Sequence, residues 1–163
     1  MTVPTVPTVP SEPLRLPYQA NFEYDYAAGR YASRFMTELR DNTKLFGTRC
    51  TSCERVLVPP RPICGICAAP TGEWVEVGPE GTLTGFTVVE VPFIDPMTGN
   101  QRPVPYGFAF IKLTGADTNI YHFLEESQHD KLRVGMAVEA VFREERVGAM
   151  SDIVCFRTME ETP

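Results

Sequence analysis

The chain has 163 residues, 43% of them hydrophobic and 22% charged, which gives room and apolar content for one ordinary domain or two small ones with a buried core. Its net charge is −6 and its sequence pI about 5.0, so it lacks the basic footprint with which nucleic-acid binders neutralise phosphates. No run nears the roughly 18 apolar residues of a membrane helix. The N-terminus also lacks the charged and apolar regions of an export signal, so the expected address is the cytoplasm.

Residues 1–17 open on Thr-Val-Pro repeated three times. Proline at every third position removes backbone donors and favours extension, and this tail is expected to be disordered. Residues 18–46 change character. Phe22, Tyr26, Tyr31, Phe35 and Leu39 recur at helical spacing. Gly29 is expected to divide the run into a short helix and a longer one from Arg30 to Arg40. Amphipathicity supports two readings, a helix packed on its own domain or a docking helix whose stripe binds a partner. The five apolar residues are therefore the candidate partner contacts.

Residues 47–79 carry the strongest chemical signal. Two Cys-x-x-Cys pairs, Cys50/Cys53 and Cys64/Cys67, stand ten residues apart in GTRCTSCERVLVPPRPICGICAAP. A two-residue gap lets both thiolates of a knuckle reach one cation, and two knuckles complete a tetrahedron of sulfurs. Four sulfurs leave no position for water or substrate, so the expectation is one structural Zn2+; iron in a rubredoxin-like site would use the same ligands. Gly65 is expected to relax the second knuckle. Trp74 to Val77 reads as a closing strand, and residues 78–81 as a turn.

Residues 80–163 read as all-β, with runs at Thr82–Val91, Tyr106–Leu113, Asn119–Leu124, Ala137–Arg143 and Asp152–Arg157. Five strands in so short a span suit a small barrel, and the polar segment Gln128–Gly135 falls where an OB-fold places a helix or turn. The fold class is thus mainly β: an N-terminal helical segment, a rubredoxin-like zinc ribbon and a five-stranded OB-fold barrel. Cys155 lies in an apolar run, where a thiol is expected to be inert. His122 and His129 belong to no recognisable triad, and Glu125-Glu126 and Glu144-Glu145 read as solvated turns, so no catalytic residue is assigned.

The order of RC-x-x-C, PPRP-x-C-x-x-C, Trp-Val-Glu-Val, GTLTGFTVV and LRVGM-x-V resembles the rubredoxin-like zinc-ribbon plus OB-fold family, long catalogued as a domain of unknown function. The matching stretches are Arg49–Pro70, Trp74–Val91, Val104–Leu113 and Leu132–Phe142. The resemblance implies a small, non-catalytic subunit beside a thiolase-like catalytic subunit, handling acyl-CoA through the complex. Some family members pair instead with synthases, hydratases or steroid side-chain aldolases. It directs attention to Arg61, on a stiff Pro-Pro-Arg-Pro link, and to Arg102, in the long turn after the first barrel strand, as residues that meet CoA phosphates. A reading from a different class is a single-stranded nucleic-acid binder with Phe86, Phe108 and Phe110 as a stacking platform; the acidic balance opposes it.

Overall fold

Helix α1, Gly29–Asn42, starts at a backbone angle that favours glycine, φ 77° at Gly29, and stops where Thr43 turns left-handed at φ 54°. This computed structural model describes residues 14–18, 25–94 and 99–159. The longer expected helix is therefore present. Of the shorter one, residues 19–24 lie outside the described residues, as does Phe22, and residues 25–28 are not helical.

The apolar stripe needs correcting. Phe35 and Leu39 are 1% and 0% exposed and belong to the protein's own main core. Tyr31 stacks on Trp74 at 5.5 Å between ring centroids, and the Arg34 guanidinium sits 4.3 Å over the same indole. Tyr26 alone of the described stripe residues is strongly exposed, at 81%. Helical spacing establishes an apolar face but is silent about what covers it; here the ribbon and barrel cover it.

Strands β1 (Leu45–Cys50), β2 (Val56–Leu57) and β3 (Thr71–Val77) form an antiparallel sheet in the order β2-β1-β3. Leu45 and Phe46, expected in the helical segment, pair instead with Val77 and Glu76, because the turn at Thr43 redirects the chain into the sheet. Strands β4 (Glu80–Val89), β5 (Tyr106–Leu113), β6 (Asn119–Leu124), β7 (Ala137–Phe142) and β8 (Ile153–Thr158) close a barrel in the order β4-β5-β6-β8-β7. This is the mainly β architecture the sequence implies.

Side-chain alternation explains which faces are wet. On β5, Ala109, Ile111 and Leu113 point inward and are nearly fully buried, while Phe108 and Phe110 point outward opposite Phe123 and Tyr121 of β6. A bulge between Leu83 and Gly85 resets the alternation of β4, so Phe86 pairs with inward-facing Ala109 and packs against the core. The three-phenylalanine platform of the nucleic-acid reading is therefore not formed.

The ribbon is joined to the barrel by its backbone. Val56 N–H donates to Asp117 Oδ2 (2.9 Å), and Asp117 N–H returns a bond to the Val56 carbonyl (2.8 Å). Val58 N–H donates to Thr118 Oγ1 (2.8 Å), whose hydroxyl donates to the Val58 carbonyl (2.9 Å). The β5–β6 turn thus satisfies polar groups on the open edge of the ribbon sheet. Beneath it, Val56, Val58 and Val77 share one core with Leu83, Ile111 and Phe156, so the packing continues across residue 80.

Burying a charge at position 35 would leave a carboxylate without partners in this shared core. Phe35→Asp is expected to cost more than about 3 kcal/mol and to destabilise helix, ribbon and barrel together in urea denaturation. Glu38→Ala, which removes a carboxylate bonded to Asn42 Nδ2 of the same helix (2.8 Å), is expected to change stability by less than about 0.5 kcal/mol.

Candidate metal centre

Strand β1 ends on Cys50, which opens the first knuckle, and Cys64 opens the second. The ligand atoms of Cys50, Cys53, Cys64 and Cys67 all lie within 4.8 Å of one another. Cys50 Sγ is 3.4 Å from Cys67 Sγ, and Cys53 Sγ is 3.8 Å from Cys64 Sγ. A tetrahedral zinc with bonds of about 2.3 Å separates its sulfurs by about 3.8 Å, so this donor set fits such an ion.

The knuckle backbone aims N–H groups at sulfur. Cys53 and Ser52 donate to Cys50 Sγ, and Ile66 donates to Cys64 Sγ, each at 3.4 Å. These donors favour the thiolate. The N–H groups of Cys53 and Ser52 draw the Cys50 thiol down to about 6, and those of Cys67 and Ile66 lower Cys64. Thiolates are the form a metal binds.

The knuckles share a feature the sequence concealed. The residue after each second cysteine is left-handed: Glu54 at φ 60° and Ala68 at φ 58°. Gly65, expected to provide the conformational freedom, is not among the residues at positive φ. The strain of the second turn therefore falls on Ala68.

The link between knuckles is pinned through its main chain. Thr48 and Thr71 hydroxyls both donate to the Arg61 carbonyl, at 3.1 and 2.5 Å, and Arg61 N–H donates back to Thr48 Oγ1 at 3.2 Å. Thr48 is fully buried. The Arg61 side chain is left exposed beside a hollow of about 390 Å³ lined by Phe110, Asp117 and Tyr121. Arg102 lies elsewhere, its guanidinium 3.7 Å over the Phe123 ring, beside a larger groove. The two candidate arginines thus border separate hollows that share Tyr121.

Cys155 is half-buried and burial pushes its thiol up, away from the nucleophilic form. Among the described residues no hydrogen bond joins it to His122 or His129. Glu125 pairs with Arg157 at 2.8 Å, and Glu126 accepts from the N–H groups of Ser127 and Gln128, so these carboxylates organise a turn.

Two family descriptions match the chain: the ChsH2 rubredoxin-like zinc ribbon domain over residues 38–71 and the ChsH2 C-terminal OB-fold domain over residues 74–143. A DUF35 domain-containing scaffold protein of Methanocaldococcus jannaschii is 30% identical over 111 residues, 68% of this chain and 75% of the relative. The chain belongs to the DUF35 family. A second DUF35 scaffold protein, from Pyrococcus furiosus, is 28% identical over 70% of this chain and 79% of its own length. Two solved structures share the fold. An Ltp2-ChsH2(DUF35) aldolase chain has a TM-score of 0.56 at 24% identity, covering 82% of this chain and 98% of that one. A DUF35 protein from Sulfolobus solfataricus has a TM-score of 0.52 at 21% identity, covering 77% and 81%. The DUF35 ribbon thus brings four cysteines together in a site suited to zinc, and no helix of the described residues is long and apolar enough to cross a membrane.

Cys64→Ser is expected to remove tight metal retention, read by elemental analysis, and to expose the knuckle amides of Ser52, Cys53, Ile66 and Ala68 to hydrogen exchange, with Val56 and Val58 still protected. Ala68→Gly, which relieves the left-handed backbone, is expected to raise stability by about 0.5–1 kcal/mol with zinc affinity kept.

Proposed function

We propose that this chain is the non-catalytic, zinc-holding subunit of a hetero-oligomer whose catalytic subunit is a thiolase-type enzyme acting on a 3-oxoacyl-CoA. One zinc serves as a structural brace, and the chain contributes to assembly and to the acyl-CoA route. The observation that carries this reading is the tip of the second knuckle. Ile63 is 51% exposed and Ile66 59% exposed on a loop whose backbone four cysteines and two threonines hold in place. Rigid, exposed apolar side chains lose little freedom on docking, which favours their use as anchors.

Further support comes from the segment ahead of the helix, where Leu14, Leu16 and Tyr18 are 85%, 77% and 87% exposed. With Phe35 and Leu39 occupied internally, the partner contact moves to this segment, Tyr26 and the knuckle tip. The relatives' designation as scaffold proteins agrees with an assembling role. In this reading Arg61, beside the knuckle, meets the CoA phosphates. A second reading makes the partner an aldolase, and the likeness to the chain of an Ltp2-ChsH2 aldolase favours it. Mass spectrometry of whatever chain co-purifies from the native cell separates the two.

The native complex is expected to contain one zinc per copy of this chain, and Ile66→Asp to release the partner while zinc content and barrel fold stay unchanged. The isolated chain is expected to show no thiolase activity, and Cys155→Ala to leave the complex within about twofold of its rate. A loss near the thousandfold typical of removing a catalytic group, with assembly intact, would contradict the proposal.

A further inference from the structure

The Thr-Val-Pro leader takes no part in the metal centre, yet its pattern is regular. A polyproline helix has three residues per turn, so a period of three gives each residue type its own face. Pro4, Pro7, Pro10 and Pro13 fall on one face, Val3, Val6 and Val9 on the second, and Thr2, Thr5, Thr8 and Ser11 on the third. The pattern is that of a rod with two apolar faces and one hydroxylated face. Residues 1–13 themselves lie outside the described residues.

The barrel carries a surface of matching chemistry. On the outward face of β5 and β6, Phe110 stands edge to face with Tyr121 at 5.0 Å, and Phe108 with Phe123 at 5.5 Å. Phe110 is 47% exposed and Tyr121 60%. Gly85, the β4 partner of Phe110, has no side chain to cover that ring; a Cβ there would lie 3.5 Å from it. Tyr121 borders both hollows, the one of about 390 Å³ beside Arg61 and the one of about 610 Å³ beside Arg102, so it stands between two depressions.

Length, charge and tether single out the leader as the occupant. In polyproline form Pro4 to Pro10 spans about 19 Å. The outward row from Tyr106 to Phe110 spans about 13 Å along β5, and the hollows extend it. Pro13 precedes Gly29, the start of α1, by 16 residues, a reach of up to about 50 Å. That exceeds the width of a domain whose radius of gyration is about 15 Å. Glu12 is the leader's one charged side chain, so docking on the rings strips water from little else. Aromatic-lined grooves take such rods readily because the polyproline form is ordered in advance. A tether also holds the local concentration near 1 mM, so a Kd of about 0.1 mM keeps roughly nine tenths of the chains docked.

We propose that residues 4–10 of the leader dock as a polyproline rod across the outward β5–β6 face of the same chain, the proline and valine faces against Phe108, Phe110 and Tyr121 and the threonine face in water. The interaction uses this chain alone, so its test does not depend on the partner.

The full zinc-loaded chain is compared by NMR with a triple variant, Pro4→Ser, Pro7→Ser and Pro10→Ser, and with Tyr121→Thr, a substitution at an exposed strand position. In the native sequence the leader's proline ring protons are expected to show nuclear Overhauser contacts to the Phe110 and Tyr121 rings and to move upfield. The triple variant is expected to lose those contacts and to shift the Phe110 and Tyr121 ring resonances. Tyr121→Thr is expected to lose them as well, with the barrel's amide spectrum checking the fold. A synthetic peptide of residues 1–13 added to the triple variant is expected to restore the ring shifts with a Kd of about 0.1 mM. The native contacts are expected to persist on dilution, at the sedimentation mass of one chain. Ring resonances identical in the native chain and the triple variant would overturn the proposal, as would no response to the peptide at about 1 mM. Contacts that fade on dilution from a species of dimer mass would also overturn it, by placing the leader on a second copy.

Discussion

Everything at the knuckle end of the molecule depends on four sulfurs being held at one point. Around Cys50 and Cys64 the only other buried apolar side chain of that cluster is Leu57, with Ala69 partly buried beside it. So small a set of contacts cannot offset the entropy of ordering two tight turns and the long proline-containing link between them. In the proposed reading metal coordination supplies that free energy, so that at this end of the fold binding and folding are one event. The left-handed conformations of Glu54 and Ala68 belong to the same bargain, since neither residue favours them unaided.

Away from the knuckles the balance reverses. Helix, ribbon and barrel converge on one core, with Phe35 and Leu39 from the helix, Leu45, Val56, Val58 and Val77 from the ribbon, and Leu83, Ile111 and Phe156 from the barrel. Asp117 and Thr118 add four backbone-directed bonds across the same junction. The knuckle end, with four cysteines suited to a metal, is therefore a small extension fixed to a conventionally packed body. That arrangement presents Ile63 and Ile66 to solvent without requiring them to stabilise the fold.

Much of this was legible in the sequence because the signals are local. The two-residue gap between cysteines announces a knuckle, and β-branched and aromatic runs between turn residues mark all five barrel strands within a few residues. What escaped depends on contacts between distant segments. Thr48 and Thr71 meet the Arg61 carbonyl across the ribbon, and the bulge before Gly85 turns Phe86 inward; neither has a composition signature. The burial of Phe35 and Leu39 was invisible for another reason: a stripe at helical spacing has the same pattern whether a partner or the chain's own barrel covers it. Placing the knuckle's strain at Gly65 followed residue preference, whereas the chain puts it at Ala68. His122 looked like an ordinary strand residue, and only the path of the β7–β8 loop shows that its Nε2 meets the Met150 carbonyl.

In the proposed assembly the metal-braced knuckle is what this chain offers its partner, on a body that stands without the metal. The direct measurement is hydrogen exchange on the native complex while zinc is withdrawn by a chelator, with partner release followed in the same samples. The knuckle amides of Ser52, Cys53, Ile66 and Ala68 are expected to lose protection as the partner dissociates, while the core amides of β4, β5 and β6, and those of Val56 and Val58, remain protected. A partner that stays bound after the zinc is fully removed and the two knuckles have opened would contradict this reading.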